Sequence, residues 1–297
     1  MKAAVYYETG PPDVFRYEEI EDPPLHSDGV LIDVQAVSIE GGDVLNRWHG
    51  QMPSRPWVVG YQCAGIIREV GANVTAFSNG QRVVAFVAHG SHASVVAAPI
   101  ATTLFEFGHL KASETVLIQG GAGGVGLAAV QLAKRAGARV LATASSDEKL
   151  QRLKEYGLDE GINYAAGDFV STVRELTGGR GVDLVVDPIG GKTLQGSIEC
   201  LAYRGRAVCL GSAGRSSERP DVTLLIPGNR SLTGYFMGGE MAMQHERLYR
   251  IVERHLGDVA AGSLQVVIDR TYPLVEAAAA HAYIESRQAF GRVLLIP

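Results

Sequence analysis

The feature that most constrains this chain is the stretch from Thr115 to Gly137, TVLIQGGAGGVGLAAVQLAKRAG. An apolar strand-like run enters a glycine-rich turn and leaves as an amphipathic helix. Gly121, Gly123 and Gly126 satisfy the spacing G-x-G-x-x-G. The first glycine permits a tight turn, the second lets the backbone approach a pyrophosphate, and the third lets the helix pack closely on the strand. The helix N-terminus then directs unpaired N–H groups and the positive end of its dipole at the phosphates. A bare glycine motif is often only a tight βα turn. The strand before it and the helix after it favour a dinucleotide site, and they commit this part of the chain to a parallel, doubly wound sheet.

The flanking sequence agrees. From Glu114 to about Met237, apolar runs (TVLIQ, RVLATA, GVDLVVDPIG, RAVCLGS, SLTGYFM) alternate with helical stretches (DEKLQRLKEYG, TLQGSIECLAYRG), as a parallel sheet covered on both faces requires. From Met1 to about Pro99 the grammar differs. Short β-like runs (AAVYY, GVLIDVQAVSI, CAGIIREVG, QRVVAFVA, HASVVAAP) are broken by Gly, Pro and Asn, which predicts a mostly antiparallel β domain. After Gly239 come a helical run, a strand-like RTYPL, the helical AAAAHAYIESR and a last strand, RVLLIP. This tail is too small for a core of its own and is expected to pack on the first domain. A chain of 297 residues exceeds the commonest domain size of about 100–150 residues, so two domains are the natural arrangement.

Charge narrows the function. A net charge of −5, with no Lys/Arg cluster, gives no field that would gather phosphate backbones or anionic lipid, so small-molecule chemistry is expected, with neither nucleic acid nor membrane as partner. Cys63, Cys200 and Cys209 form no C-x-x-C pair, which argues against a disulfide framework or thiolate zinc lobe and fits a reducing compartment. MKAAVYYETG lacks the basic and apolar segments of a secretory signal, and no long uncharged apolar run occurs; the expectation is a soluble, cytoplasmic protein.

The cofactor is read at the end of the next strand. An NAD site places Asp or Glu there, on the ribose 2′-hydroxyl. Here RVLATA is followed by Ser145-Ser146-Asp147-Glu148-Lys149. No acid stands at the strand end, and two hydroxyls with a lysine one turn on suit a 2′-phosphate. The competing reading is that Ser145 only caps the following helix and Lys149 is a solvated charge. NADPH is preferred over NADH.

At this point the chain resembles the medium-chain dehydrogenase/reductase superfamily, and within it the zinc-independent quinone oxidoreductases related to zeta-crystallin. The segments that carry the resemblance are VGYQCAGIIREVG and AFSNGQRVVAF, VLIQGGAGGVGLAAVQLAKRAGA, INYAAGDFV with LTGGRGVDLVVDPIGG, and FGRVLLIP. It implies an α/β protein in which a GroES-like β domain (1–103) is joined to a Rossmann domain with a doubly wound parallel sheet (104–238). A C-terminal segment (239–297) returns to the first domain, and cofactor and substrate share the cleft between the domains. It places Gly123, Gly124 and Val125 on the pyrophosphate and Ser145, Ser146, Lys149 and Tyr164 around the 2′-phosphate. It further places Gly211, Ser212, Ala213, Tyr235, Phe236 and Met237 at the nicotinamide end and gives Arg287 a reach to the cofactor.

Three departures qualify it. Zinc-dependent members carry a cysteine about where Glu40 stands and Gly-His-Glu where this chain has Gly60-Tyr61-Gln62, so the ligands of a catalytic zinc are missing. His49, His89 and His92 lack a converging partner set and read as surface or cleft-lining groups. Where related reductases carry Asn and Tyr at the cleft wall, this chain has Glu40 and Leu45; Asp43 and Asn46 remain as polar groups, Asp43 at least as readily a turn or cap residue. Finally, only PIATTLFEFGHLKAS stands where the resemblance implies a long Pro- and Ala-rich helical passage, with the gap near Thr103 and Leu104. Of a genuine shortening and a stretch omitted from the numbered chain, the second is preferred, because the loss would expose apolar surface.

The expected activity is hydride transfer from NADPH to a small electrophile, a quinone or an α,β-unsaturated carbonyl, without zinc. No catalytic residue is named, since neither a nucleophile elbow nor a convincing acid–base pair is visible. An enoyl-thioester reductase and a non-catalytic NADPH-binding sensor or crystallin-like protein are the alternatives. SLTGYFM, as the last strand wound, lies at a sheet edge without a Lys, Pro or inward charge to blunt it. A homodimer continuing the sheet there is expected, with Leu232 and Tyr235 near the axis.

Overall fold

A computed structural model describes residues 1–87, Gly90 and 102–297, and it divides the chain into two units, Met1–Val95 with Ile268–Pro297, and Val96–Val267. The expected strand HASVVAAP, with His89 and His92, lies outside the described residues.

In the first unit, β1 (Lys2–Val5) pairs antiparallel with β2 (Arg16–Glu19). A five-stranded sheet is built from β3 (Val30–Ser38), β4 (Gln62–Val70), β5 (Arg82–Phe86), β12 (Ile268–Pro273) and β13 (Arg292–Ile296), in the order β12-β13-β3-β4-β5. Only the β12–β13 pair is parallel. Helix α1 (Gly41–His49) follows β3, and helix α8 (Ala277–Glu285) lies between β12 and β13. Val37, Val44, Ala280, Val293 and Leu295 share one buried cluster, so the end of the chain completes the core of its beginning. Buried Arg47 of α1 locks this return. Its guanidinium bonds to Glu285, to the Gly10 carbonyl at 3.2 Å and to His281 Nδ1 at 3.3 Å.

The second unit holds six parallel strands in the order β11-β10-β9-β6-β7-β8: β6 (Thr115–Ile118), β7 (Arg139–Ala144), β8 (Glu160–Asn163), β9 (Val182–Asp187), β10 (Leu201–Cys209) and β11 (Ser231–Gly234). Helices α2 (Gly124–Arg135), α3 (Asp147–Leu153), α4 (Phe169–Leu176) and α5 (Gly191–Glu199) join them. Leu117, Leu141, Val185 and Ala207 are buried in the sheet, which is why these strands read as continuous apolar runs rather than as alternations. The chain then forms α6 (Met237–Met243) and α7 (His245–Ala260).

Two differences from the sequence expectation follow. The segment 239–267 groups with the second unit, and the return begins at Ile268 instead of Gly239. The reason is specific polar docking: Gln131 of α2 exchanges two bonds with the Gln265 backbone (3.0 and 2.8 Å), and Arg135 meets Asp258 at 3.1 Å. The second concerns the shortened passage. Residues Thr102–Phe107 form one π-helical turn whose Leu104 is wholly buried. Phe107 stands edge-on to Tyr235 with ring centres 5.2 Å apart, and Glu106 pairs with Arg247. Arg206 donates to the carbonyls of Gly108 and, at 2.8 Å, His109. Leu104, beside the gap, is therefore covered within the second unit, where a shortened passage was expected to leave apolar surface exposed.

Candidate active site

The predicted residues of the second unit gather where its parallel strands end, the edge at which sheets of this kind take their ligands. Gly123 is the N-cap of α2 and is exposed, and no side chain caps this helix. The partly exposed Gly124 and Val125 thus open the helix with its dipole behind them. Gly121 and Gly126 have a different task. A β-carbon on Gly126 would lie 2.3 Å from the Gly120 oxygen, and one on Gly121 would lie 2.7 Å from Ala142 Cβ, so both are required by close packing. At Gly123 the nearest atom among the described residues would be 3.6 Å away, so no described side chain occupies that face.

Strand β7 ends at Ala144, and Ser145, Ser146 and Lys149 follow, all partly buried. Tyr164 joins them because its N–H donates to the Ala144 carbonyl at 3.2 Å, and its side chain is exposed. Ser146, not Ser145, caps α3, accepting from the Lys149 amide at 3.4 Å; the cap role weighed for Ser145 falls to its neighbour. The first acid, Asp147, lies past the strand end and accepts from Asn163 Nδ2 at 3.1 Å.

Farther along the same edge, Gly211, Ser212 and Ala213 follow β10 and are zipped to the loop after β9. Ala213 N–H donates to the Pro188 carbonyl at 3.1 Å and Gly214 N–H to that of Ile189 at 2.8 Å. Tyr235 N–H donates to the Cys209 carbonyl at 2.8 Å, which sets Tyr235, Phe236 and Met237 beside the end of β10. The Tyr235 side chain is buried, whereas Phe236 is 79% exposed. Burial raises the Cys209 thiol above its ordinary pKa and takes Cys200 to about 12, so neither offers a thiolate at neutral pH. Arg287 stands in the first unit, exposed, in the left-handed region (φ 58°) just past α8.

In the first unit Glu40 precedes α1 and is committed to Arg292, a residue 5% exposed whose Nη1 also reaches Ser38 Oγ at 3.3 Å. Asp43 is buried and accepts from the Glu40 amide at 2.7 Å, which makes it the cap residue anticipated from sequence. Burial, and then the Asp43 charge, raise the Tyr61 phenol, so it stays protonated at neutral pH.

Sequence reasoning missed the polar side chains beneath the glycine loop: Gln119, Thr143, Asp187 and Ser197, each 2% exposed or less. A polar residue within an otherwise apolar strand was the available signal.

Two family models cover most of the chain, the alcohol dehydrogenase GroES-like domain over residues 26–126 and the zinc-binding dehydrogenase over 124–254. A 2-haloacrylate reductase from Burkholderia sp is 31% identical, with all of this chain and 99% of that one aligned. The chain belongs to the quinone oxidoreductase family of the medium-chain dehydrogenases/reductases. The quinone oxidoreductase of Rattus norvegicus, another relative, is 27% identical over 100% of this chain and 98% of its own. The crystal structure of Escherichia coli quinone oxidoreductase complexed with NADPH superposes with a TM-score of 0.93 at 28% identity, covering both chains fully. The alignment with the haloacrylate reductase runs to 331 positions, 34 more than this chain has residues, so the relative carries at least that many residues facing gaps here.

The metal in one model's description does not suit this member of the family. A catalytic zinc takes three His, Cys or carboxylate ligands. Glu40 is spent on a buried guanidinium, and the neighbouring Tyr61 and Gln62 offer only a protonated phenol and an amide.

Proposed function

We propose that this chain is an oxidoreductase that uses NADPH, without zinc, to deliver hydride to a quinone or to the β-carbon of an α,β-unsaturated carbonyl. The observation that carries the reading is the pairing of an uncapped helix start, clear of protein at Gly123, with a β7 terminus that offers Ser145, Ser146, Lys149 and Tyr164 and no carboxylate. The acceptor class rests on what the related quinone and 2-haloacrylate reductases are named for.

NADPH, when bound, supplies the hydride from its C4 position. The protein's part is to bind, orient and exclude water. The amides of Gly124 and Val125 hold the pyrophosphate at the helix start, Gly123 admits it without a side chain, and Gly121 and Gly126 shape the loop. Ser145, Ser146, Lys149 and Tyr164 hold the 2′-phosphate. Gly211, Ser212 and Ala213, with Tyr235, Phe236 and Met237, border the nicotinamide, and Arg287 is a further cofactor residue. The proton that completes the reduction comes from water or a weak acid, so no strong catalytic dyad is needed.

The working form is a cytoplasmic homodimer whose sheet continues across β11, the edge strand. Both Leu232 and Tyr235 are partly or wholly packed within the subunit, so the pairing runs through backbone groups near the axis.

Stopped-flow absorbance in the NADPH band tests the activity. Oxidation with quinones or enones is expected; oxidation confined to enoyl thioesters, or binding without oxidation, would point to a thioester reductase or a silent binding protein instead.

A further inference from the structure

A line of buried polar groups runs under the carboxyl edge of the second unit's sheet and joins the loops that follow the paired strands β6 and β9. Gly120 N–H donates to Thr143 Oγ1 at 3.0 Å. The Thr143 hydroxyl donates to Gln119 Oε1 at 2.8 Å, Gln119 Nε2 to Ser197 Oγ at 3.1 Å, and the Ser197 hydroxyl to Asp187 Oδ2 at 2.8 Å. Asp187 Oδ1 ends the line by accepting the amides of Ile189 (2.8 Å) and Gly190 (2.9 Å). Gln119 and Thr143 are 2% and 1% exposed, and Ser197 and Asp187 are wholly buried.

The direction of every bond is dictated. Asp187 takes two amides on Oδ1 and the Ser197 hydroxyl on Oδ2, so Ser197 is the donor in this pair. Ser197, its one proton spent, must accept from the Gln119 amide nitrogen. Gln119 then turns its oxygen to Thr143, which is left to accept from Gly120. A path of direct bonds between buried groups resists a change in the separation of its two ends, because breaking any member strands a buried donor or acceptor.

Those ends bear on the proposed cofactor site. Gly120, at φ 67°, opens the phosphate loop, and its oxygen accepts from Gly123 N–H at 3.1 Å. At the far end, the residues after Asp187 carry the 211–214 loop through the two carbonyl bonds from Pro188 and Ile189. One side chain set thus supports both the pyrophosphate end and the nicotinamide end of the site.

We infer that Ser197 and Gln119 are positioning residues that set the distance between the phosphate loop and the 188–190/211–214 loops, so that one extended dinucleotide engages both at once. The inference rests on the NADPH reading above and goes further, since neither residue touches the cofactor.

The test compares whole NADPH with 2′-phospho-ADP-ribose, which lacks the nicotinamide and occupies only the phosphate end. Both are titrated into the full chain carrying Ser197→Ala or, as a second cut of near-equal volume, Gln119→Met. Each variant is expected to weaken NADPH about tenfold, the equivalent of one lost buried hydrogen bond, and to slow single-turnover hydride transfer, while the fragment binds within about twofold of wild type. Thr143→Val, which strips the Gly120 amide of its acceptor, should instead weaken NADPH and fragment together. Equal losses for both ligands in Ser197→Ala and Gln119→Met, or wild-type NADPH affinity in both, overturn the inference while leaving the cofactor reading intact. A wild-type chain that binds neither ligand overturns the cofactor reading and the inference with it.

Discussion

Two glycines three residues apart should respond to the same substitution in opposite ways. In Gly126→Ala the new methyl would sit 2.3, 2.6 and 2.7 Å from the oxygen of Gly120 and the Cα and carbonyl carbon of Gly121, all backbone atoms that no rotamer change can move. Ordinary contact needs about 3.5 Å, so the loop and helix must part by roughly an ångström. Overpacking of this kind costs about 1–3 kcal/mol. For a domain of this size, that lowers the melting temperature by roughly 2–10 °C. In Gly123→Ala the nearest atom is 3.6 Å away and φ is −78°, which alanine adopts without strain. The smaller freedom of the unfolded chain adds about 0.4–1 kcal/mol, and the poorer N-cap residue takes away a similar amount. Its melting temperature should stay within about 2 °C of wild type. Binding should reverse the order of interest, because the Gly123 methyl makes no close contact among the described residues and is placed to meet the ligand. Displacing a pyrophosphate from one or two charge-assisted N–H contacts weakens NADPH roughly tenfold to a hundredfold. Differential scanning fluorimetry without nucleotide and calorimetric titration of NADPH measure the two effects. Wild-type NADPH affinity in Gly123→Ala, or a melting loss as deep as that of Gly126→Ala, would refute the division between packing glycine and ligand-facing glycine.

Lys149→Glu should set a like charge beside the 2′-phosphate and weaken NADPH roughly ten- to thirtyfold with NADH nearly unchanged; equal loss for both nucleotides would remove Lys149 from the pocket. Dialysis against a strong chelator should leave activity and melting temperature unaltered, and zinc-specific restoration of a lost activity would contradict the reading of Glu40 and Tyr61. Because Tyr235 N–H faces β10, the N–H of Gly234 faces the open edge, so Gly234→Pro should shift a sedimenting dimer toward monomer; a wild-type monomer at micromolar concentration counts against the assembly. Burial lowers the pKa of His255 below its ordinary 6.5, and Arg135 with His255 holds Asp258 at about 2 rather than 3.8. Both folded values lie below the unfolded ones, so the stability they contribute is present at neutral pH and is lost as pH falls. The melting temperature should be flat above about pH 7 and decline below 6.5, with a further decline below 3.8; His255→Asn should abolish the upper step.

Much of the cofactor end was legible in the chain itself, because its signals are local. The turn at Gly121–Gly126, the missing acid after RVLATA and the period change near Glu114 each depend on residues close in sequence. Steric freedom at a glycine and charge at a strand end are properties a short segment carries wherever it folds. The sheet order could be anticipated as well, since β11 as the last strand wound falls at the edge.

Other features depended on partners distant in sequence. Glu40 was an unexplained departure until Arg292, 252 positions on, was seen to bind it. The segment 239–267 read as part of the returning tail, and bonds such as those of Gln131 with Gln265 and Arg135 with Asp258 hold it in the second unit. Gln119, Thr143, Asp187 and Ser197 sit on a turn, two strands and a helix, and as isolated letters they say nothing of a continuous line of bonds. A polar residue alone in an apolar run announces that it needs a partner when buried. Which partner, and what the pair then holds in place, is decided by the packing that brings remote segments within 3 Å of each other.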